Sequence, residues 1–437
     1  MIWLNSRAYW ALAAIALLFA AAGAAAVLVP FAYAAAVGFA VWTIADAVLG
    51  PRAAGLRIAR SESAPFALRH RSSLDYDVAN TGPMPVDAGI IEAPCDLLHY
   101  GADEAIARLS ARSRMRISRP VTPVARGSAQ LRTMYVWFEH PLGALRRRIR
   151  IVQPQEIRVY PDLSAVERYG TLHARNRLIE AGLRRMRLRG AGTEVESVRD
   201  YAPGDPFRAI NWKATARRGR LMSAQYEVER SQNVIVLLDA GRLMTARVGD
   251  QRKFDYAVTA ALSVSAIAAL ANDKIGVVAF AADILRAYAP RAGGRSSARI
   301  AAELYDLEPR FEETDYERGF AFARTHVNKR SLIVFFTDMV DPVAQSTVLA
   351  QIGSLARRNV VVCAFMNDAA IDRAIDAEPS TLSAVYATGV ALELRDERRS
   401  AAAVLARMGV RVIDVPAPQL TTALIDQYLR IKQRGLL

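Results

Sequence analysis

Residues 192–244 read GTEVESVRDYAPGDPFRAINWKATARRGRLMSAQYEVERSQNVIVLLDAGRLM. The first half, 193–220, gathers Gly, Pro, Asp, Trp and Arg and follows neither a strand alternation nor a long helical repeat. The second half contains an apolar, β-branched run over 233–238, the pattern of a strand buried on both faces. Asp239 closes that strand, and Ala240-Gly241-Arg242 turns the chain towards a helix. An acid at the carboxyl end of a buried strand sits where open α/β sheets place ligands. Asp239 equally suits the bland role of helix cap, and position alone leaves both readings open.

Working towards the C-terminus, strand-like and helix-like runs alternate. Strands are expected over 275–280, 332–336, 360–365 and 410–415, with a short antiparallel edge strand over 282–288. Helices are expected over 254–271, 297–307, 316–327, 343–357, 381–408 and 420–433. This alternation predicts an α/β fold with a mostly parallel, doubly wound sheet. The run over 332–336 ends in Thr337-Asp338, a second strand-end acid.

Working towards the N-terminus, residues 156–231 form a separate segment with a very basic helix over 164–187 and further arginines at 217, 218 and 220. Such a charge run is usually a solvated face; anionic lipid headgroups or an acidic protein partner are the sharper readings. No nucleic-acid module accompanies the charge, so nucleic acid is not expected. Residues 53–155 carry short alternating runs separated by turn signals such as Asn80-Thr81-Gly82-Pro83, which predicts a small β-sandwich.

Residues 1–52 are a different material. From Ala8 to Val29 there are 22 residues without a charge, about 33 Å as a helix. Pro30 interrupts, and 31–45 continues uncharged. A tight transmembrane hairpin is expected. Arg7 precedes it, and Arg52, Arg57 and Arg60 follow it, so the positive-inside rule puts both ends and the bulk of the chain in the cytoplasm. A cleaved signal peptide ending near Ala22-Gly23-Ala24 is the competing reading. The 437 residues carry 57 Lys+Arg against 43 Asp+Glu, a formal charge of +14 that suits an acidic partner or surface. Cys95 and Cys363 are too far apart to suggest a disulfide framework, and Cys363 lies in an apolar run.

The residues Arg199-Asp200-Tyr201, Pro203-Gly204-Asp205, Arg208, Ile210-Asn211-Trp212-Lys213 and Ala216-Arg217 resemble the signature of the DUF58 family, bacterial membrane-anchored proteins with a von Willebrand factor A-like (vWA) domain. The resemblance implies a vWA-like domain over 232–437, which agrees with the alternation. It also implies a divalent metal such as Mg²⁺ at the top of the sheet, held by hard oxygen ligands with one position open to an acidic group of a partner. Here Asp239, Thr314 and Asp338 stand for the expected ligands, while Gly241 and Leu243 replace two expected serines. Arg242 is placed to pair with either acid instead.

A partner surface is expected at Asp239, Gly241, Arg242, Thr314 and Asp338. The resemblance further implies a MoxR-type AAA+ ATPase as partner and a non-enzymatic role in assembling or activating protein complexes at the plasma (inner) membrane. The alternative is a metal-dependent hydrolase using Asp239, Asp338 and Asp205. Bland readings of the signature make Asp205 a helix N-cap before Pro206, Trp212 a buried anchor and Arg208 an ion-pair partner. No P-loop, Gly-x-Ser-x-Gly or His-Glu-x-x-His motif occurs.

Overall fold

The computed structural model describes residues 2–50, 55–62, 64–101, 104–164, 166, 194–203, 205, 207–227, 232–292, 295–327, 329–338 and 346–435. Apart from Ser164 and Val166, the basic helix expected over 164–187 lies outside the described residues. The chain divides into two units, Met1–Asp162 and Leu163–Leu437.

In the first unit, strand β1 (Ile2–Leu4) leads into helix α1 (Ser6–Ala24), capped by the Asn5 side chain. A 3-10 turn, Ala26–Leu28, joins it to α2 (Val29–Leu49). Pro30 therefore opens the second helix, where its missing N–H is no loss. Both helices are long and apolar enough to cross a membrane, which suggests membrane anchoring. Phe19 and Tyr33 meet edge to face across the turn, with centroids 5.4 Å apart.

The rest of the first unit is two sheets around one core. Its strands are β2 (Leu56–Arg60), β3 (Phe66–Ala67), β4 (Ser72–Asn80), β5 (Val86–Glu92), β6 (Leu98–Tyr100), β7 (Ala105–Leu109), β8 (Ser113–Pro123), β9 (Gly127–Glu139) and β10 (Leu145–Tyr160). One sheet runs β1-β10-β9-β5-β7 with β3 added to β10, and the other β2-β4-β8-β6. Alternate residues such as Leu74, Tyr76 and Val78 of β4 meet Ala88 and Ile90 of β5 in the shared core. Arg60 of one sheet makes a fork-like pair with Glu92 of the other, both side chains almost fully buried.

The apolar hairpin is bolted to this sandwich at one carboxylate. Asp46, near the end of α2, is completely buried and accepts the backbone N–H groups of Leu142, Ala144 and Leu145 at 2.7–2.8 Å. Trp42 Nε1 donates to the Leu142 carbonyl, and His140 Nδ1 lies 2.9 Å from the Asp46 carbonyl. The charge in the second apolar run thus serves the loop 140–145 rather than sitting free at a membrane interface.

In the second unit, β11 (Glu194–Asp200) pairs antiparallel with β12 (Met222–Glu227), and the short helix α3 (Trp212–Arg218) lies between them in sequence. The main sheet follows: β13 (Asn233–Asp239), β16 (Lys274–Phe280), β17 (Ile284–Arg291), β18 (Leu332–Phe336), β19 (Val360–Asn367) and β20 (Arg411–Pro416), with a small ribbon β14 (Arg247–Val248) and β15 (Gln251–Arg252) beside it. Its order is β17-β16-β13-β18-β19-β20. It is mixed: all pairs are parallel except β16 with β17, at the edge.

Helices α4 (Lys253–Leu270), α5 (Arg295–Leu304) and α10 (Leu420–Gln433) cover the face presenting Val234, Val236 and Leu238. Helices α6 (Tyr316–His326), α7 (Ser346–Ala356) and α9 (Leu382–Arg407) cover the face presenting Ile235 and Leu237, and α8 (Ala369–Asp376) packs on α9. A strand lined on both faces has no polar side, which is why 234–238 reads as continuously apolar. Helix α4 is also apolar enough for a membrane span by composition, but it is mostly buried inside this unit.

Candidate functional site

The parallel register aligns the carboxyl ends of five strands. Asp239 is level with Phe280, and Leu238 with Phe336. Just beyond that edge lies Asp239, with no exposed surface. Its Oδ1 accepts from the Gly241 backbone at 2.9 Å and from Thr314 Oγ1 at 2.6 Å. Its Oδ2 accepts from Thr337 Oγ1 at 2.8 Å and Tyr316 Oη at 3.1 Å. Burial pushes the carboxyl above the ordinary aspartate range, while these four donors pull it back in part. The Tyr316 phenol is also pushed up, by burial first and the Asp239 charge second.

Asp338, at the end of the neighbouring strand, is held differently. It ion-pairs with Lys253 through one oxygen and with Arg398 Nη2 at 2.7 Å through the other. Arg398 also donates to the Met366 carbonyl at 2.8 Å and reaches Asp414 at 3.5 Å. All three principal side chains are at most 10% exposed.

The two acids therefore belong to distinct sub-sites: a hydroxyl-lined one at Asp239 and a cation-bound one at Asp338. Thr314 meets Asp239 as a hydrogen-bond donor. Arg242 pairs with neither acid; its Nε donates to Glu313 at 2.8 Å. Gly241 is more than a missing serine. A Cβ there would lie 1.9 Å from Thr314 Oγ1 and 3.0 Å from the Glu312 carbonyl, so the Thr314 hydroxyl fills the space a side chain would need.

A divalent cation at this end would need open oxygen acceptors. Instead, donors occupy both Asp239 oxygens, and two buried cations occupy Asp338. The residues do not fit a metal in this arrangement. Among the described residues, no group of three or more His, Cys, Asp or Glu is placed to hold one.

Of the five expected partner residues, Arg242 is exposed, Thr314 is half-buried, and Asp239, Gly241 and Asp338 are buried. What faces outward is the loop over them. Arg310 N donates to the Ala240 carbonyl and Arg242 N to the Glu312 carbonyl, pinning residues 310–313 across the site. At the crest of that loop Phe311 is 82% exposed. Sequence reading missed Tyr316, Thr337, Lys253 and Arg398. Lys253 stands at the head of a mostly apolar helix, between Arg252 and Asp255, and nothing local marks it as buried. Nothing singles out Arg398 within the charged run 395–399.

The signature residues form their own module. Arg199 Nη2 pairs with Asp205 Oδ1 at 2.6 Å, and Asp205 Oδ2 accepts the Ala202 N–H. That backbone bond is the largest of the influences holding the Asp205 carboxyl below its usual range, Arg199 also contributing. Tyr201 Oη donates to the Asp205 carbonyl, and Asp200 pairs with Arg220 at 3.0 Å. Two expectations are corrected. Asp205 faces back along the chain, so the helix N-cap is Asn211, whose Oδ1 accepts the Ala214 N–H. Trp212 is not buried but 66% exposed, because it is the first helical residue and points away from the β11–β12 pair that α3 packs on. Pro203, Lys213 and Arg217 are exposed, and Gly204 and the Arg208 side chain lie outside the described residues.

Residues 197–372 match the family described as "Protein of unknown function DUF58". The DUF58 match spans the signature module, the Asp239 network and Lys253–Asp338, and stops short of Arg398. The chain is also 51% identical over 43 residues to "Uncharacterized protein YeaD" of Bacillus subtilis, a stretch covering 10% of this chain and 11% of that one. Among solved structures, an Escherichia coli alpha-2-macroglobulin activated by porcine elastase aligns at 16% identity, over 24% of this chain and 9% of that chain, with a TM-score of 0.19. The ASH/PapD-like domain of human CEP192 aligns at 10% identity, over 25% of this chain and 87% of that one, also with a TM-score of 0.19. These structural likenesses are too slight to bear on fold or function.

Proposed function

We propose that this chain is a membrane-anchored, non-enzymatic adaptor whose second unit is a vWA-like domain facing the cytoplasm. Its partner in this reading is a MoxR-type AAA+ ATPase acting in assembly or activation of protein complexes. One observation carries it: at the carboxyl edge of the sheet the strand-end acids Asp239 and Asp338 are satisfied inward, while large apolar side chains beyond them face solvent. Helix α9 crosses that edge. Its Arg398 sits at the Asp338 level, and its C-terminal end leads into the amino end of β20. Residues 382–397 therefore project roughly 20 Å beyond the edge. On that projection Leu382, Val385, Tyr386 and Val390 are 52–73% exposed, spaced as one helical stripe. Exposed apolar side chains spaced this way, like Phe311 on its own loop, are the kind that mark protein association.

The mixed sheet with a single antiparallel edge strand, and the acid after its first strand, support the vWA-like reading. Binding on this reading is metal-independent, because Asp338 already has its cations. The carboxylates a hydrolase would use, Asp239, Asp338 and Asp205, are held in three separate networks and do not converge on one point for chemistry.

The test is capture of partners by tagged full-length protein from detergent-solubilised native membranes, identified by mass spectrometry. Wild type is expected to retain a MoxR-type ATPase in Mg²⁺ and in EDTA alike. The double variant Phe311→Glu/Tyr386→Glu is expected to lose it at least tenfold, roughly 1.4 kcal/mol. Failure of wild type to capture any AAA+ ATPase defeats the reading.

A further inference from the structure

The DUF58 signature module carries a second surface that the adaptor reading does not use. Helix α3 is about two turns long, closed at its start by Asn211 and at its end by Gly219 in the left-handed region, φ 66°. Its inner side is fixed: Ala214 and Thr215 are half-buried, and Thr215 Oγ1 accepts the Met222 N–H at 3.0 Å. At 100° per residue, Trp212, Lys213, Ala216 and Arg217 share the outward arc, and all four are exposed. Phe207, in the 3-10 turn just before the helix, is 79% exposed.

Around α3 the charge is cationic. The two nearest carboxylates described, Asp205 and Asp200, are paired with Arg199 and Arg220. Lys213, Arg217 and Arg218 have no carboxylate partner among the described residues. Indole and phenyl rings next to free cations are the composition of a side that sits at the headgroup level of a bilayer. The rings enter the interface, and the long cationic stems place their charge among phosphates. The same chain carries two helices long enough to cross a membrane. Even a weak contact is then made at high effective concentration.

We propose that Phe207, Trp212, Lys213 and Arg217 form a reversible docking face for an anionic lipid surface. Each cation near such a surface is worth about fivefold in affinity, so two give about twenty-five-fold between neutral and anionic bilayers at low salt. The contact is largely electrostatic and is lost in about 1 M salt, where the screening length falls to about 3 Å.

The full-length protein is reconstituted in nanodiscs of phosphatidylcholine alone or with phosphatidylglycerol, and hydrogen exchange is followed in peptides covering 207–221. Slowing of at least about tenfold in the anionic discs is expected, reversed by high salt and abolished in Lys213→Glu/Arg217→Glu. Unchanged exchange of the β13 amides shows that this variant is folded; if they change, Trp212→Ser with native charges replaces it and is expected to weaken the slowing. Equal exchange in both disc types overturns the proposal. So does protection that appears only when a protein partner is added, whatever the lipid, which assigns the face to that partner. Because the adaptor test reads Phe311 and Tyr386, the two readings fail independently.

Discussion

At the scale of single residues, the strand-end acids divide the chemistry between them. Lys253 is the residue whose loss should be most informative. Lys253→Met keeps the stem and removes the charge, leaving Asp338 buried with Arg398 alone. Breaking one side of a buried pair costs about 3 kcal/mol, and the loss is expected in chemical denaturation of the full-length protein in detergent. Added Mg²⁺ is expected to leave the wild-type midpoint unchanged; an upward shift that EDTA reverses would show that the acids do accept a metal.

Asp239 gives a pH signature. Its carboxyl is raised by burial, so the folded chain holds a proton that the unfolded chain releases near 3.8. The stability it contributes is complete below that value and is lost as pH rises through the folded value. Asp239→Asn cannot titrate. The wild-type-minus-variant difference in stability should therefore fall as pH rises from about 4 towards neutrality. A difference independent of pH would mean that the four donors, not burial, set this group.

At the scale of elements, the junction between hairpin and sandwich is the sharpest prediction. One carboxylate satisfies the three backbone N–H groups of Leu142, Ala144 and Leu145, and Gly50 is so close to the His140 ring that a Cβ there would overlap it. Asp46→Ala strips those donors of their acceptor. At about 1–3 kcal/mol for each buried unsatisfied group, amide exchange over 140–145 should accelerate by at least tenfold. The sandwich core amides of β9 should be unaffected. If 140–145 exchanges as in wild type, the loop is held by the sandwich alone.

At the scale of the whole molecule, orientation is the open quantity. The arginines at 7, 57 and 60 flank the hairpin, and none lies in its turn, so both ends are expected in the cytoplasm. A C-terminal fluorescent reporter that matures only in the cytoplasm should be active, and a C-terminal phosphatase that works only after export should be silent. The reverse pattern would turn the second unit outward and remove a cytoplasmic ATPase from the set of partners.

Much of this was legible in the chain because it follows from local periodicity. Continuous apolar runs such as 234–238 and 332–336 fix buried strands, uncharged runs before residue 46 fix helices of membrane length, and Asp239 and Asp338 are visible as acids at strand ends. What these acids touch is not local. Tyr316, Thr337, Lys253 and Arg398 come from four different elements, and only the parallel register brings them to one edge. Trp212 makes the same point in reverse. A tryptophan in a turn-rich segment reads as a core anchor, since its area favours burial. Whether it is buried depends on which side of a seven-residue helix meets the β11–β12 pair, and that is set by Asn211 and Thr215 binding back to Met222. Local periodicity is enough for the elements and their apolar sides. Which charges neutralise one another and which rings are left facing out emerge in the folded molecule alone, because those depend on contacts between residues far apart in the chain.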